Sequence, residues 1–222
     1  MKDTNSYNEE LLRDISKIYS SIKKEIEDRL NEFTIVWEKG TEESLFSELA
    51  FCLLTPQSKA KMCWESICTL IEKNYLIDGS EEEILDCLYG VRFKYKKSKY
   101  LIEVREVFNV SGKISIRREI DRFNSPLEVR EWLVKNVKGM GYKEASHFLR
   151  NIGKGQDLVI LDRHILKNLK LLNVIEKIPD SIPPKKYLEL EQTMREFSKE
   201  IGIPLDHLDI VLWYKETKEI FK

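Results

Sequence analysis

The sequence predicts an all-α protein of two helical lobes. Apolar residues recur at helical spacing along most of the chain, and no stretch sustains the apolar and polar alternation of a half-buried strand. The chain's 222 residues exceed a typical domain of roughly 150 by about half, which suits one domain or two small lobes. A central lobe is expected over residues 41–154. A second is expected from residues 1–40 and 155–222, with the N-terminal helix returning to pack against the last third of the chain and an active site in the cleft between the lobes.

The elements follow in order. Leu11, Ile15, Ile18, Ile22 and Ile26 make the first thirty residues an amphipathic helix. Glu43 to Leu54, carrying Leu45, Phe46, Leu49, Leu53 and Leu54, is a more apolar and hence more buried helix. It stops at Thr55-Pro56, because the residue before proline disfavours helical backbone. A third helix is expected from about Ser58 to Glu72 through Met62, Ile67 and Leu70. Glu81-Glu82-Glu83 after Gly79-Ser80 suits a helix N-terminus, where negative charge meets the positive end of the dipole. Ser125-Pro126-Leu127-Glu128 has the form of a capping box with proline at the first helical position. Breaks fall at Glu38-Lys39-Gly40 and at residues 179–184, neither long nor polar enough for a flexible linker.

With 42% hydrophobic and 34% charged residues, and only 9 Gly and 6 Pro, collagen-like, low-complexity and largely disordered classes are excluded. No apolar run reaches the roughly 18 residues of a membrane span, and the polar start MKDTNSYNEELL is unlike a signal peptide, so an intracellular protein is expected. Cys52, Cys63, Cys68 and Cys87 sit in apolar or helical contexts without paired ligand spacing and read as buried thiols. The net charge is only −1, yet it is unevenly spread. Residues 1–50 carry 7 basic against 12 acidic side chains, residues 92–122 carry 10 against 4, and residues 135–154 carry 5 against 1. An acidic arm and two basic middle segments suit one surface that faces phosphates, although solvated helical faces give similar patterns.

The informative stretch is residues 132–166. One helix ends, Val137-Lys138-Gly139-Met140-Gly141-Tyr142-Lys143 turns, and a second helix continues through Glu144, Ala145, Phe148 and Leu149. Two glycines one residue apart permit positive φ and close backbone approach, and a helix starting at once offers unpaired N–H groups to an anion. A plain glycine cap between two helices is the simpler reading. Lys143 and Asp162 add to it. A lysine in the first helical turn meets the positive end of the dipole, which is unfavourable for an ammonium but favours the neutral amine that a nucleophile requires. Asp162 follows the apolar run Val159-Ile160-Leu161 and starts another helix. It suits an N-cap, and its carboxylate also suits the stabilisation of positive charge on a sugar ring.

On these residues the chain resembles the helix-hairpin-helix DNA glycosylases. Gly139-Met140-Gly141-Tyr142-Lys143-Glu144-Ala145 is similar to the family hairpin G-x-G-x-K-x-A, with the lysine of the bifunctional members, and Asp162 falls 19 residues later in a D-x-H-I context. Leu53-Leu54-Thr55-Pro56-Gln57-Ser58-Lys59-Ala60 resembles the helix end whose glutamine probes the base pair. The compact length and the ending Leu212-Trp213-Tyr214…Ile220-Phe221-Lys222 look most like the type-2 8-oxoguanine DNA glycosylase/AP lyases of archaea and some bacteria. The resemblance spans about residues 40–222.

What the resemblance implies is base-excision repair of 8-oxoguanine in double-stranded DNA. Lys143 would be the nucleophile that forms a Schiff base, and Asp162 the stabiliser of the cation. Lys222, Trp213 and Phe93 would meet the lesion base, while Gln57, Lys138, Gly139, Gly141 and Tyr142 would meet the DNA. Trp213, Phe93 and Gln57 also suit plain core or helix-end roles, and the basic-aromatic run Arg92 to Tyr100 suits a nucleic-acid groove or a solvated face equally. No cysteine follows Cys87, so no iron–sulfur cluster is expected; no cofactor is required, and a monovalent cation at the hairpin carbonyls is optional. His147, His164 and His207 show no ligand spacing, so no metal site is expected either. A monomer in the prokaryotic cytoplasm, associated with the nucleoid, is the implied setting. Three other readings stand beside this one: a glycosylase of the same fold for an oxidised pyrimidine or alkylated purine, a non-catalytic helix-hairpin-helix DNA-binding module, and an all-helical protein-interaction domain.

Overall fold

The computed structural model describes residues 7–222; residues 1–6, part of the stretch expected to begin the first helix, lie outside the described residues. The order is α1 (Glu9–Lys39), α2 (Glu42–Leu54), α3 (Ala60–Glu72), α4 (Tyr75–Asp78), α5 (Glu81–Cys87) and α6 (Lys94–Phe108). A two-strand hairpin follows, β1 (Asn109–Val110) and β2 (Lys113–Ile114), and then α7 (Ile116–Ile120), α8 (Pro126–Asn136) and α9 (Tyr142–Asn151). The last three helices are α10 (Arg163–Leu171), α11 (Pro184–Ile201) and α12 (Leu205–Thr217). The fold is helical as expected. The hairpin is antiparallel with Asn109 opposite Ile114, and its turn residues Ser111 and Gly112 both take positive φ. Two residues per strand are too few to leave an alternating pattern in sequence.

The chain divides into two compact units: the N-terminal segment through Glu32 with Gly155–Phe221, and Phe33–Lys154 with Lys222. The division falls within α1 rather than at the Glu38-Lys39-Gly40 break, which is simply the end of that helix. In the first unit Ile15, Ile22 and Ile26 bury the apolar stripe of α1. Tyr19 Oη lies 3.1 Å from Nδ1 of His207 on α12, and α12 packs on α10 and α11. Proline sets the start of α11 at Pro184, after the expected connection, since its fixed φ suits a first helical position.

In the second unit α2 is central. Every residue from Leu45 to Leu54 is buried, and α3, α6, α7 and α9 pack around it. Thr41 caps α2, its Oγ1 accepting from the Ser44 N–H at 3.1 Å. Arg117 then ties the turn before α2 to α7: its guanidinium pairs with Glu42 at 3.1 Å and donates to the carbonyls of Trp37 (2.7 Å) and Gly40 (2.6 Å). At the far end of α9, Gly153 has φ +72° and a Cβ there would meet the Thr34 backbone at 2.6 Å, so only glycine lets the chain pass this close to α1. No described helix is long and apolar enough to cross a membrane.

Because Leu49 lies fully buried at the middle of α2, Leu49→Ala is expected to cost about 2–5 kcal/mol of unfolding free energy, by transfer and cavity together. Urea titration checks this as a lower midpoint with an unchanged slope.

Candidate active site

The hairpin is built from two capped helices of the second unit. Ser125 and Glu128 form the expected reciprocal capping box at the start of α8, which ends as Val137 N–H bonds to the Leu133 carbonyl at 2.8 Å. Gly139 then takes φ +86°, and a Cβ on it would lie 2.3 Å from the Tyr100 ring, so both conformation and space demand glycine. Gly141 does not use the positive φ that glycine permits. Its backbone is extended, at φ −98°, and its N–H donates to Glu144 Oε2 at 3.2 Å, so this donor is committed within the chain. Beside the turn, Lys138 pairs with Glu103 at 2.8 Å, and Lys96 and Lys138 flank the Tyr100 ring at 5.7 and 5.9 Å. The Tyr142 hydroxyl donates to Glu131 at 2.7 Å, and the Arg130 guanidinium lies over the Tyr142 ring while donating to Ser146 Oγ at 3.1 Å.

Lys143 occupies the first turn of α9, a quarter exposed, with Nζ 3.7 Å from Glu144 Oε1. One turn on, His147 is buried against Phe51, ring centroids 5.5 Å apart. Burial, then Arg150 and Lys143, push its imidazole well below the ordinary value despite the opposing Lys222 backbone, so it is held neutral. Burial and Glu48 push the Cys52 thiol well up, with Lys143 opposing. Phe51 in turn meets Trp64 edge-on at 5.7 Å, and Lys222 Nζ stands 3.6 Å from the Trp64 ring centroid. The same ammonium pairs with Glu48, whose other oxygen accepts from Asn151 Nδ2 at 3.0 Å. Glu48 is thus a buried carboxylate whose charge is matched.

In the first unit Asp162 is the N-cap of α10. Its Oδ1 accepts the N–H groups of His164 (2.8 Å) and Ile165 (2.9 Å), leaving Oδ2 without a hydrogen bond among the described residues. The run before it, Leu158 to Leu161, is buried yet in neither helix nor sheet, so its backbone needs other partners. Val159 N–H donates to Glu191 at 3.0 Å, Ile160 N–H to Asp209 at 3.2 Å and Leu161 N–H to the Tyr187 hydroxyl at 3.3 Å. His164 turns its ring edge to Trp213 at 5.1 Å, and Trp213 is half-buried on α12.

A family model described as 8-oxoguanine DNA glycosylase matches residues 26–203. The chain belongs to the 8-oxoguanine DNA glycosylase family. A protein of Fusobacterium nucleatum named 8-oxoguanine DNA glycosylase/AP lyase is 47% identical over 213 residues, spanning 96% of this chain and 98% of that one. Its namesake in Methanocaldococcus jannaschii is 37% identical over 220 residues, spanning 96% and 99%. The crystal structure of the Thermotoga maritima 8-oxoguanine DNA glycosylase is similar at TM-score 0.85 and 35% identity, covering 96% and 99%. The M. jannaschii enzyme in complex with a 15mer DNA containing 8-oxoguanine is similar at TM-score 0.86 and 33% identity, covering 96% and 99%. The resemblance read from hairpin, lysine and aspartate is thereby confirmed.

Of the residues this family resemblance nominates, Gln57, Phe93, Lys138, Gly139, Gly141, Tyr142, Lys143 and Lys222 belong to the second unit, and Asp162 and Trp213 to the first. Phe93 and Gln57 are exposed, and both hold left-handed backbone, φ +59° and +56°. Sequence reasoning did not single out Glu48 or Trp64, and it named His147 only among histidines without ligand spacing. Glu48 had a signal, since a carboxylate inside the apolar run Leu45 to Leu54 must find a partner. Trp64 had none, because one face of an amphipathic helix does not say which residue a distant lysine will cover. All four cysteines are free, Cys52, Cys63 and Cys87 buried as expected and Cys68 half-buried. No group of three or more His, Cys, Asp or Glu among the described residues is arranged to hold a metal ion.

Two measurements test this geometry. Gly139→Ala, which forces a side chain into the Tyr100 ring at positive φ, is expected to weaken duplex DNA binding at least tenfold by fluorescence anisotropy, or about 1.4 kcal/mol. Gly141→Ala, in extended backbone and 3.1 Å from a movable carboxylate, is expected to weaken it less. The second concerns His147, which stays neutral in the fold but binds a proton in the unfolded chain below about pH 6.5. Stability is therefore full above that pH and falls below it, with a limiting slope of about 1.4 kcal/mol per pH unit from this group. Unfolding free energies between pH 7 and 5 are expected to fall less steeply for His147→Gln than for the wild type.

Proposed function

We propose that the chain is a bifunctional DNA glycosylase/AP lyase of base-excision repair that removes 8-oxoguanine from duplex DNA and then nicks the strand. What carries the reading is a lysine in the first turn of the hairpin's second helix, in a chain that belongs to the 8-oxoguanine DNA glycosylase family. A non-catalytic DNA-binding module needs the glycines and the helix start but has no use for that amine. The relatives named 8-oxoguanine DNA glycosylase/AP lyase support both activities.

The chemistry needs the target nucleotide expelled from the stack, at a cost of a few kcal/mol. Gln57 then occupies or monitors the vacated place, Lys138, Gly139, Gly141 and Tyr142 hold the strand, and Lys222, Trp213 and Phe93 meet the expelled base. The unprotonated Lys143 amine attacks the sugar C1′ as the bond from C1′ to the base breaks, and the base leaves with the bonding electrons. Positive charge that develops on the sugar is stabilised by the Asp162 carboxylate. The open Oδ2 of Asp162 supports this role, since capping already occupies Oδ1. Ring opening gives an iminium between Nζ and C1′. The iminium makes the proton on C2′ acidic; its loss drives the C3′–O bond to break, and the 3′ phosphate leaves with that electron pair. Lysine and carboxylate supply both steps without a cofactor, and a monovalent cation on the hairpin carbonyls would only brace the turn. Action as a monomer is part of this proposal, and the bacterial and archaeal relatives support a place on nucleoid DNA in the prokaryotic cytoplasm.

Borohydride trapping on a duplex with 8-oxoguanine opposite cytosine tests the reading. Wild type is expected to give a covalent adduct, Lys143→Gln none, and Asp162→Asn a base-removal rate lower by about 10²–10³, the size of one lost charge-stabilising group. A wild type that neither traps nor cleaves this duplex or an abasic one would refute the assignment.

A further inference from the structure

Lys97 is a buried lysine that the mechanism does not use. It lies on α6, 4% exposed, and its ammonium makes three hydrogen bonds, all to uncharged oxygens: the Leu54 carbonyl (2.7 Å), the Pro56 carbonyl (2.7 Å) and Ser58 Oγ (3.0 Å). Burial, with Lys143 and Arg92 adding to it and Cys63 and Glu144 opposing, pushes it down to about 8. A charge kept inside the protein against that tendency needs a reason. The three acceptors bracket one residue. Leu54 closes α2, and Pro56 and Ser58 stand on either side of Gln57, which has φ +56°, is exposed and makes no hydrogen bond among the described residues. The bracket is braced further, since Arg92 N–H also donates to Ser58 Oγ at 3.0 Å and Cys63 Sγ to the Leu54 carbonyl at 3.2 Å.

We propose that Lys97 is a positioning residue for Gln57: by drawing the oxygens of Leu54, Pro56 and Ser58 onto one ammonium, it locks the turn that presents the Gln57 amide outward, ready to fill the gap an expelled base leaves. The Leu54 carbonyl is one of the last of α2, without a partner inside the helix, and the Pro56 carbonyl belongs to the residue just before left-handed Gln57. Without the ammonium the Leu54 carbonyl would keep only the Cys63 thiol at 3.2 Å and the Pro56 carbonyl only the Ser58 hydroxyl at 3.5 Å, both weak partners, and Gln57 would relax with them. The turn is therefore set before DNA arrives, and binding does not have to order it. This inference rests on the reading of the chain as a base-expelling glycosylase with Gln57 at the stack.

A stable abasic-analogue duplex with 2-aminopurine beside the gap reports filling of the stack without any excision. Wild type is expected to change the fluorescence on saturation, and Gln57→Ala to lose most of that change. Lys97→Met should lose it to the same extent and Lys97→Arg should retain part of it, since arginine keeps the donors. The double variant should match Gln57→Ala alone, because effects that run through one residue do not add. Single-turnover excision should fall in parallel, on the order of tenfold, the scale of a small misplacement. If Lys97→Met does not fold, Ser58→Ala removes one of the three acceptors and is expected to give a smaller loss that vanishes in the Gln57→Ala background. The clamp is overturned if Lys97→Met, or in its place Ser58→Ala, leaves the fluorescence change intact, or if its loss multiplies with that of Gln57→Ala. Trapping by wild type judges the glycosylase reading separately, so an absent adduct with the fluorescence pattern intact would sink that reading and leave the clamp standing.

Discussion

A helix buried on every side has nowhere to send its polar groups except into protein, and α2 imposes that constraint on the second unit. Its apolar run from Leu45 to Leu54 makes it the core, so each polar atom on it must be met by a partner recruited from elsewhere. At its C-terminal end, where the last carbonyls have no partner within the helix, Lys97 and Cys63 both donate to the Leu54 carbonyl. In its middle, Glu48 draws Asn151 from the end of α9 and Lys222 from far along the chain. Two residues nominated for the site, Gln57 beside the end of α2 and Lys222 at Glu48, thus sit next to contacts that burial of α2 requires.

The same rule governs the first unit in a different form. Asp162 has to be delivered at a helix start by a stretch that is buried but belongs to no helix or sheet, and such backbone has unpaired donors. Side chains of α11 and α12 supply what a neighbouring strand would have supplied: Glu191, Tyr187 and Asp209 take the three N–H groups in turn. These polar groups are buried themselves, so the arrangement stands or falls as a network. It explains how an apolar tetrapeptide can place a carboxylate without being a strand.

Legibility in sequence followed the range of the interaction. The helices that were read carry local signals: apolar spacing in α1 and α2 and a capping box before α8. The family was readable because glycines, a lysine and an aspartate at the spacings of Gly139, Gly141, Lys143 and Asp162 have few other uses together. What was not readable is pairing over long separations. Lys222 with Glu48 spans 174 residues and Lys97 with Leu54 spans 43, and no local pattern specifies either. Gly141 shows the limit at short range too. Its neighbour Gly139 needs positive φ, while Gly141 is extended and donates its N–H to Glu144.

The surroundings of α9 also favour Lys143 as the group proposed to react. Several nucleophilic side chains gather near it, and each is withdrawn by a different means. Burial keeps the Cys52 thiol protonated, and Cys63, pushed up to about 11, shares that fate and spends its proton on a carbonyl. His147 is neutral but fully enclosed, so no substrate atom reaches it. Lys97 has all three donors engaged beneath the turn before α3. Lys222 is engaged on both sides, paired with Glu48 and set against the Trp64 ring. Lys143 alone in this set combines partial exposure with a weak ion pair, 3.7 Å from Glu144, at the first turn of a helix held by glycines on a rigid ring. On the proposed mechanism, reactivity at this site would come as much from silencing the neighbours as from placing the nucleophile.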